Sequence, residues 1–184
     1  MRKLSKGRGV VIDIDGVLAD FEGKFCEKYG WENRELVGLE LRYPEHVEEI
    51  ETFTWNPSTY EYLDILDIGV RIARFCYTAL FDIYIVSSRP QEVEAISGRW
   101  LKQNMIPFHF MSVDSESKMA RIRRINPVFI VDDLYSVCKD ASDAGIPSFL
   151  IDHPWNQENE GKYGIIYRVK KFSDFVEKYQ NYFD

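Results

Sequence analysis

A chain of 184 residues with 45% apolar and 29% charged residues has the length and balance of a globular fold with one modest insertion. Its formal net charge of −7 argues against a protein that grips polymeric nucleic acid through the phosphate backbone, which calls for a basic face; Arg121, Arg123 and Arg124 read as a solvated helix face. No stretch nears the ~18 continuous apolar residues of a membrane span, and the basic start MRKLSKGRG runs straight into a strand pattern with no signal-peptide core, so a cytoplasmic protein is expected.

The first predicted element is the apolar run Gly9-Val10-Val11-Ile12, ending in Asp13. Ile83 to Val86, ending in Ser87, and Val128 to Val131, ending in Asp132, repeat the design, with weaker runs over Pro107–Met111 and Ser148–Ile151. Short apolar runs without alternation suit strands buried on both faces of a parallel sheet. Helical spacing over Glu92–Gln103, Ser117–Arg124 and Leu134–Ala144 supplies one crossover between each pair of later strands. Gly145 suits a helix stop, and Phe172, Phe175, Val176, Tyr179 and Phe183 predict a closing amphipathic helix.

The segment from Phe21 to about Phe75 breaks this rhythm. It has no buried-strand run, and Asn56-Pro57 looks like a helix start. From there Leu63, Leu66, Val70, Ala73, Tyr77 and Leu80, with Ile65, Ile68, Ile72 and Phe75 on a second face, predict one long helix sandwiched between other elements. The expected architecture is an α/β fold with a Rossmann-like parallel sheet and a small helical cap inserted after the first strand. The core would comprise residues 1–21 and 76–184, and the cap 22–75. Cys26, Cys76 and Cys138 lack metal-ligand spacing and read as reduced thiols.

The chemistry concentrates at the strand ends. Asp13-Ile14-Asp15-Gly16 places two acids where a buried strand stops, and carboxylates are rarely buried unless paired or metal-bound. A single such end could be an acidic turn, but Asp132-Asp133 repeats it far along the chain. If the two strands are neighbours, three or four carboxylates meet in one crevice, where a cation must offset their repulsion. Oxygen ligands of this kind suit Mg²⁺, with room left for a substrate phosphate. Ser87 and Ser88 would bring a hydroxyl and backbone amides to the same crevice, and Lys118 an ammonium.

Asp13-x-Asp15-Gly-Val-Leu-Ala-Asp20, Ser87, Lys118 and Asp132-Asp133, spanning about Val10 to Leu134, resemble the four ordered motifs of the haloacid dehalogenase (HAD) superfamily. That resemblance implies a Mg²⁺-dependent phosphatase in which Asp13 attacks phosphorus and Asp15 is the acid and base. Asp13, Asp15 through its backbone carbonyl, and Asp132 would hold the metal, with Asp133 in support. Ser87 and Lys118 would bind the phosphoryl oxygens, with Ser88 beside them. An acid at position 15 resembles the phosphatases of the superfamily, because its dehalogenases lack one there. A phosphorelay receiver combines similar residues, but with the paired acids first and the acceptor later.

Asp-x-Asp-Gly-Val-Leu-Ala-Asp-Phe and the later Ile151-Asp152-His153-Pro154-Trp155-Asn156 resemble the 5′(3′)-deoxyribonucleotidase group. The implied partner is a small phosphorylated substrate, a nucleoside monophosphate. Trp31, Tyr43, Phe53, Trp55 and Tyr60 could stack on a base or simply form the core of a small cap, and Trp155 and Asn156 could line the pocket or pin a loop. Another small phosphometabolite, a nucleic-acid 3′-phosphate, or a non-catalytic phosphate-binding module stand as alternatives.

Overall fold

The structure, a computed structural model, describes residues 7–30, 46–113, 118–159 and 164–183. Trp31 and Tyr43, two of the aromatics named above, lie outside the described residues. So does Ser117, the first residue of one predicted helix.

Six strands form one open, wholly parallel sheet: β1 (Gly9–Ile12), β2 (Asp82–Ser87), β3 (Phe110–Val113), β4 (Phe129–Asp132), β5 (Ser148–Ile151) and β6 (Ile166–Val169). Their spatial order is β3-β2-β1-β4-β5-β6. This is the α/β, Rossmann-like sheet expected from the alternation of buried runs and helices. All four residues of β4 and of β5 are buried, which is why those runs show no alternation. The predicted Pro107–Met111 strand forms later, at Phe110–Val113, and its outer flank is open to solvent as an edge of the sheet. At the opposite edge β6 was not anticipated. Its first three residues are only partly buried, and Ile-Tyr-Arg-Val with an arginine in it is a weak apolar signal.

The helices, in chain order, are α1 (Phe21–Tyr29), α2 (Val47–Trp55), α3 (Asp67–Thr78), α4 (Glu94–Gln103), α5 (Lys118–Ile125), α6 (Tyr135–Asp143) and α7 (Phe172–Phe183). The predicted closing helix is α7. Phe175 is fully buried, and Phe75, Phe129, Phe149 and Tyr179 surround it at ring-centroid distances of 4.7–6.0 Å. Such edge, tilted and stacked contacts add to the burial of the rings themselves.

The single long helix predicted from Pro57 does not exist. Asn56 caps a short 3₁₀ turn, Pro57–Glu61, by accepting from the Ser58 amide, and regular helix resumes only at Asp67. Residues between them run extended because the loop after β1 takes their backbone groups. Asp20 N donates to Asp64 O at 2.9 Å, and Leu66 N to Leu18 O at 2.8 Å. The Trp100 indole also donates to Leu63 O, at 2.9 Å. Tertiary hydrogen bonds thus outcompete the helical spacing, and Ile65, Tyr77 and Leu80, assigned to apolar faces, are exposed.

Helix α3 packs against β2 and α7 as part of the main core. Gly69, in its first turn, lies so close to the loop after β1 that a β-carbon there would run into the Val17 carbonyl. A separate, smaller apolar cluster joins Phe25 of α1 with Ile50 and Phe53 of α2, flanked by Phe21 and Tyr29. The hydroxyls of Thr59 and Tyr60 donate to Phe53 O and Thr54 O, tying the 3₁₀ turn to the end of α2.

Candidate active site

The sheet order reverses between β1 and β4, since the chain leaves β1 toward β2 on one side and returns to β4 on the other. Ligand crevices of open α/β sheets lie at the carboxyl ends of strands at such a point. Ile12 pairs with Val131, and the Asp13 amide donates to Val131 O at 3.0 Å, so Asp13 emerges beside Asp132. On the other side Ile12 pairs with Ile85, which places Ser87 at the same end of the sheet. The strand register alone therefore gathers Asp13, Asp132 and Ser87.

Gly16 turns the chain after Asp15 with φ +71°, in the left-handed region that glycine enters without strain. A β-carbon at that position would also collide with the Asp133 carboxylate. Asp20 then starts α1 by accepting from the Gly23 amide at 2.9 Å.

Asp13, Asp132 and Asp133 are all buried, and each presents a carboxylate oxygen within 4.8 Å of the others. Lys118, at the start of α5, donates to Asp13 Oδ2 at 2.8 Å and to Asp132 Oδ2 at 2.6 Å. Asp13 Oδ1 is buried with no hydrogen-bond partner among the described residues. Burial, against the opposing pull of Lys118 and with help from Asp132 and Asp15, raises Asp13 to about 7. Burial followed by the charges of Asp132 and Asp13 also raises Asp133 well above the ordinary carboxylate range. For Lys118 burial acts against the charge, but its two aspartates outweigh it and hold it above its usual value. Among the described residues, three buried acids with one cation and one orphaned oxygen form a donor set that fits a hard divalent ion, which prefers oxygen ligands and offsets crowded negative charge.

The acidic loop is braced from the far side. Trp155 Nε1 donates to Asp133 Oδ2 at 2.9 Å, and Asn156 Nδ2 donates to Asp133 O and Ile151 O, both at 2.8 Å. His153 Nε2 donates to Gly16 O at 2.6 Å, and its ring stacks on Trp155 with centroids 4.0 Å apart. Arg168 of β6 in turn holds Asp152 and Asn156. Trp155 thus lines the crevice and braces it at once, while the buried Asn156 is a brace.

The crevice has a volume of about 240 Å³. Its floor carries Asp13, Asp15, Ser87, Lys118 and Asp133, with Ser88 exposed at the rim. Phe21, Tyr60 and Trp155 supply apolar wall, and Glu22 and Thr54 add polar groups from the inserted segment. Phe21 and Tyr60 stack at 5.7 Å. Phe53 belongs to the small apolar cluster, and Trp55 is 56% exposed and does not line the crevice.

Sequence reasoning passed over Arg89. Its Nε and Nη2 donate to Asp15 Oδ2 and Oδ1 at 2.7 and 2.6 Å, while Nη1 reaches Ser97 Oγ at 2.8 Å. The signal was present, for Arg89 is a charged residue two positions past a buried strand end, close to the feature that picked out Asp13.

No protein-family model and no curated protein matches the chain. Solved structures do resemble it in fold. A predicted phosphatase from Clostridium acetobutylicum superposes with a TM-score of 0.61 at 13% identity, covering 96% of this chain and 100% of the other. A HAD-superfamily hydrolase from Ehrlichia chaffeensis gives 0.54 at 15% identity, covering 96% and 98%. A dehalogenase gives 0.61 at 14% identity, covering 94% and 97%. The chain therefore shares the α/β fold of these structures, and because a dehalogenase and a predicted phosphatase both have it, the fold by itself assigns no activity.

Proposed function

We propose that the protein is a Mg²⁺-dependent phosphomonoester hydrolase of the HAD type, working through an aspartyl-phosphate on Asp13. The observation that carries this reading is Asp13 itself. It is a buried carboxylate with one oxygen held by Lys118 and the other unpartnered among the described residues, at the floor of the crevice with Asp15 two residues on.

In this reading Asp13 Oδ1 attacks phosphorus and the ester oxygen departs with a proton from Asp15. Water then attacks the aspartyl-phosphate, gives a proton to Asp15, and releases phosphate and Asp13. Lys118, Ser87 and the Ser88 amide bind the phosphoryl oxygens and stabilise the charge that develops on them. Asp13, the Asp15 carbonyl and Asp132 would hold the Mg²⁺, with Asp133 in support, and the bound ion would supply positive charge to offset that of the acids and the phosphate. Trp155 and Asn156 keep Asp133 in place.

The substrate is a small phosphate ester, and we take it to be a nucleoside monophosphate. A crevice of about 240 Å³ has no room for a folded polymer, and Phe21, Tyr60 and Trp155 offer flat surfaces on which a base can stack. The part of the inserted segment that precedes α3 serves as the cap and carries two of the specificity groups, Glu22 and Thr54. The sugar-phosphate alternative keeps the same chemistry but makes no use of the aromatic wall.

A panel of nucleoside monophosphates, sugar phosphates and p-nitrophenyl phosphate, assayed with and without Mg²⁺, tests both levels. Release of phosphate that requires Mg²⁺ and favours nucleotides at least tenfold is expected. Equal turnover of sugar phosphates removes the nucleotide assignment, and silence across the panel removes the enzyme.

A further inference from the structure

We infer that Arg89 is a positioning residue for Asp15, aiming the acid/base carboxylate at the leaving group; this rests on the phosphatase reading above. The side chain of Arg89 is only 2% exposed, whereas that of Asp15 is 28% exposed and faces the crevice. Arg89 is held at three points, two of them on the guanidinium. Its Nη1 donates to Ser97 Oγ at 2.8 Å, its Cζ lies 4.4 Å from the Tyr60 ring centre, and its backbone amide donates to Ser87 Oγ at 3.3 Å. Ser97 is fully buried on α4, and Tyr60 is pinned through its hydroxyl to Thr54 O at 2.6 Å. Between these supports Nε–H and one Nη2–H form a fork that takes both oxygens of Asp15, at 2.7 and 2.6 Å.

A planar fork does what a point charge cannot. Two parallel hydrogen bonds set both the direction and the twist of the carboxylate. Each carboxylate oxygen has two lone-pair directions, and the fork occupies one on each. The other direction on the exposed side of Asp15 is left for the reacting groups. In the first step the proton leaves Asp15 for the ester oxygen as the bond from that oxygen to phosphorus breaks and the bond from Asp13 forms. In the second, a water proton arrives at Asp15 as the water oxygen bonds to phosphorus and the Asp13 bond breaks. Arg89 keeps Asp15 aimed through both transfers and exchanges no proton itself.

Alkyl and poorly activated leaving oxygens need that proton, and p-nitrophenolate does not. Replacing the fork by an ammonium in Arg89→Lys keeps the charge and loses the aim. The experiment is single-turnover phosphoenzyme formation over a series of aryl and alkyl phosphates with Mg²⁺, for wild type, Arg89→Lys and Ser97→Ala. Arg89→Lys should slow poor leaving groups roughly 10- to 100-fold, leave p-nitrophenyl phosphate within about threefold, and hold KM unchanged, so the rate depends more steeply on leaving-group acidity. Ser97→Ala, which loosens one anchor and leaves the pair, should steepen it less, and it stands in should Arg89→Lys fail a thermal-unfolding control. A uniform loss with an unchanged slope, or a raised KM alone, overturns the positioning role while leaving the phosphatase reading intact. Wild-type silence across the series overturns that reading and the role with it.

Discussion

Asp13→Asn should abolish phosphate release and, in metal-free buffer, make the protein more stable. Burial, partly offset by Lys118, together with Asp132 and Asp15, raises Asp13 to about 7 from an ordinary 3.8. A rise of about three units costs the ionised form on the order of 4 kcal/mol at about 1.36 kcal/mol per unit. The folded state therefore binds the proton more tightly than the unfolded chain does. Stability contributed by this group falls as pH rises from about 4 to about 7, and the penalty is complete above that. Asparagine carries no charge and escapes it, while Lys118 keeps Asp132 as a partner at 2.6 Å. Thermal unfolding in a chelator at pH 8 should show Asp13→Asn more stable by about 1 to 4 kcal/mol, or about 2–4 °C in Tm for each kcal/mol. At pH 5.5 the gap should shrink to about half, because the wild-type carboxyl is then protonated in the folded state. Millimolar Mg²⁺ should stabilise the wild type more than the variant and close or reverse the gap. A variant less stable than wild type at pH 8 in chelator would refute the account of Asp13 as a carboxylate held at a cost for chemistry. More than a trace of turnover would show that the nucleophile lies elsewhere.

Two further substitutions probe the supports of the site. Gly69→Ala should destabilise by about 1 to 3 kcal/mol in urea unfolding, since the new β-carbon meets the Val17 carbonyl and that overpacking outweighs the gain of up to about 1 kcal/mol in helix propensity. Equal or greater stability would mean that α3 does not press on the loop after β1. Trp155→Phe keeps a ring beside His153 but removes the hydrogen bond to Asp133 Oδ2, so the Mg²⁺ concentration for half-maximal activity should rise about tenfold or more. An unchanged Mg²⁺ dependence would show that the indole N–H does not orient Asp133.

Much of the fold was legible because the buried parallel strands leave a local signature. Val10-Val11-Ile12 and Phe129-Ile130-Val131 can bury both faces without alternation, and an aspartate at the end of each marks where burial stops. The errors have local causes too. Leu63 and Leu66 fall at helical spacing with Val70, but backbone bonds from Asp20 to Asp64 and from Leu66 to Leu18 keep the chain ahead of Asp67 out of the helix, and no spacing within the segment reports partners so far away. Strand β6 escaped notice because an edge strand needs less apolar surface than a central one.

The amino-acid sequence by itself determined that short buried strands alternate with helices, and that Asp13, Ser87 and Asp132 stand at strand ends. Those are properties of neighbouring residues, set by side-chain period and by the cost of burying a charge. Only the tertiary structure decided that β1 and β4 lie side by side, which turns separate strand ends into three carboxylates around Lys118. It alone also decided that Arg89, 74 positions away in the chain, grips Asp15. Such a contact arises from the strand order and from the packing of α4 and Tyr60 behind the guanidinium, and distance in the chain carries no trace of it.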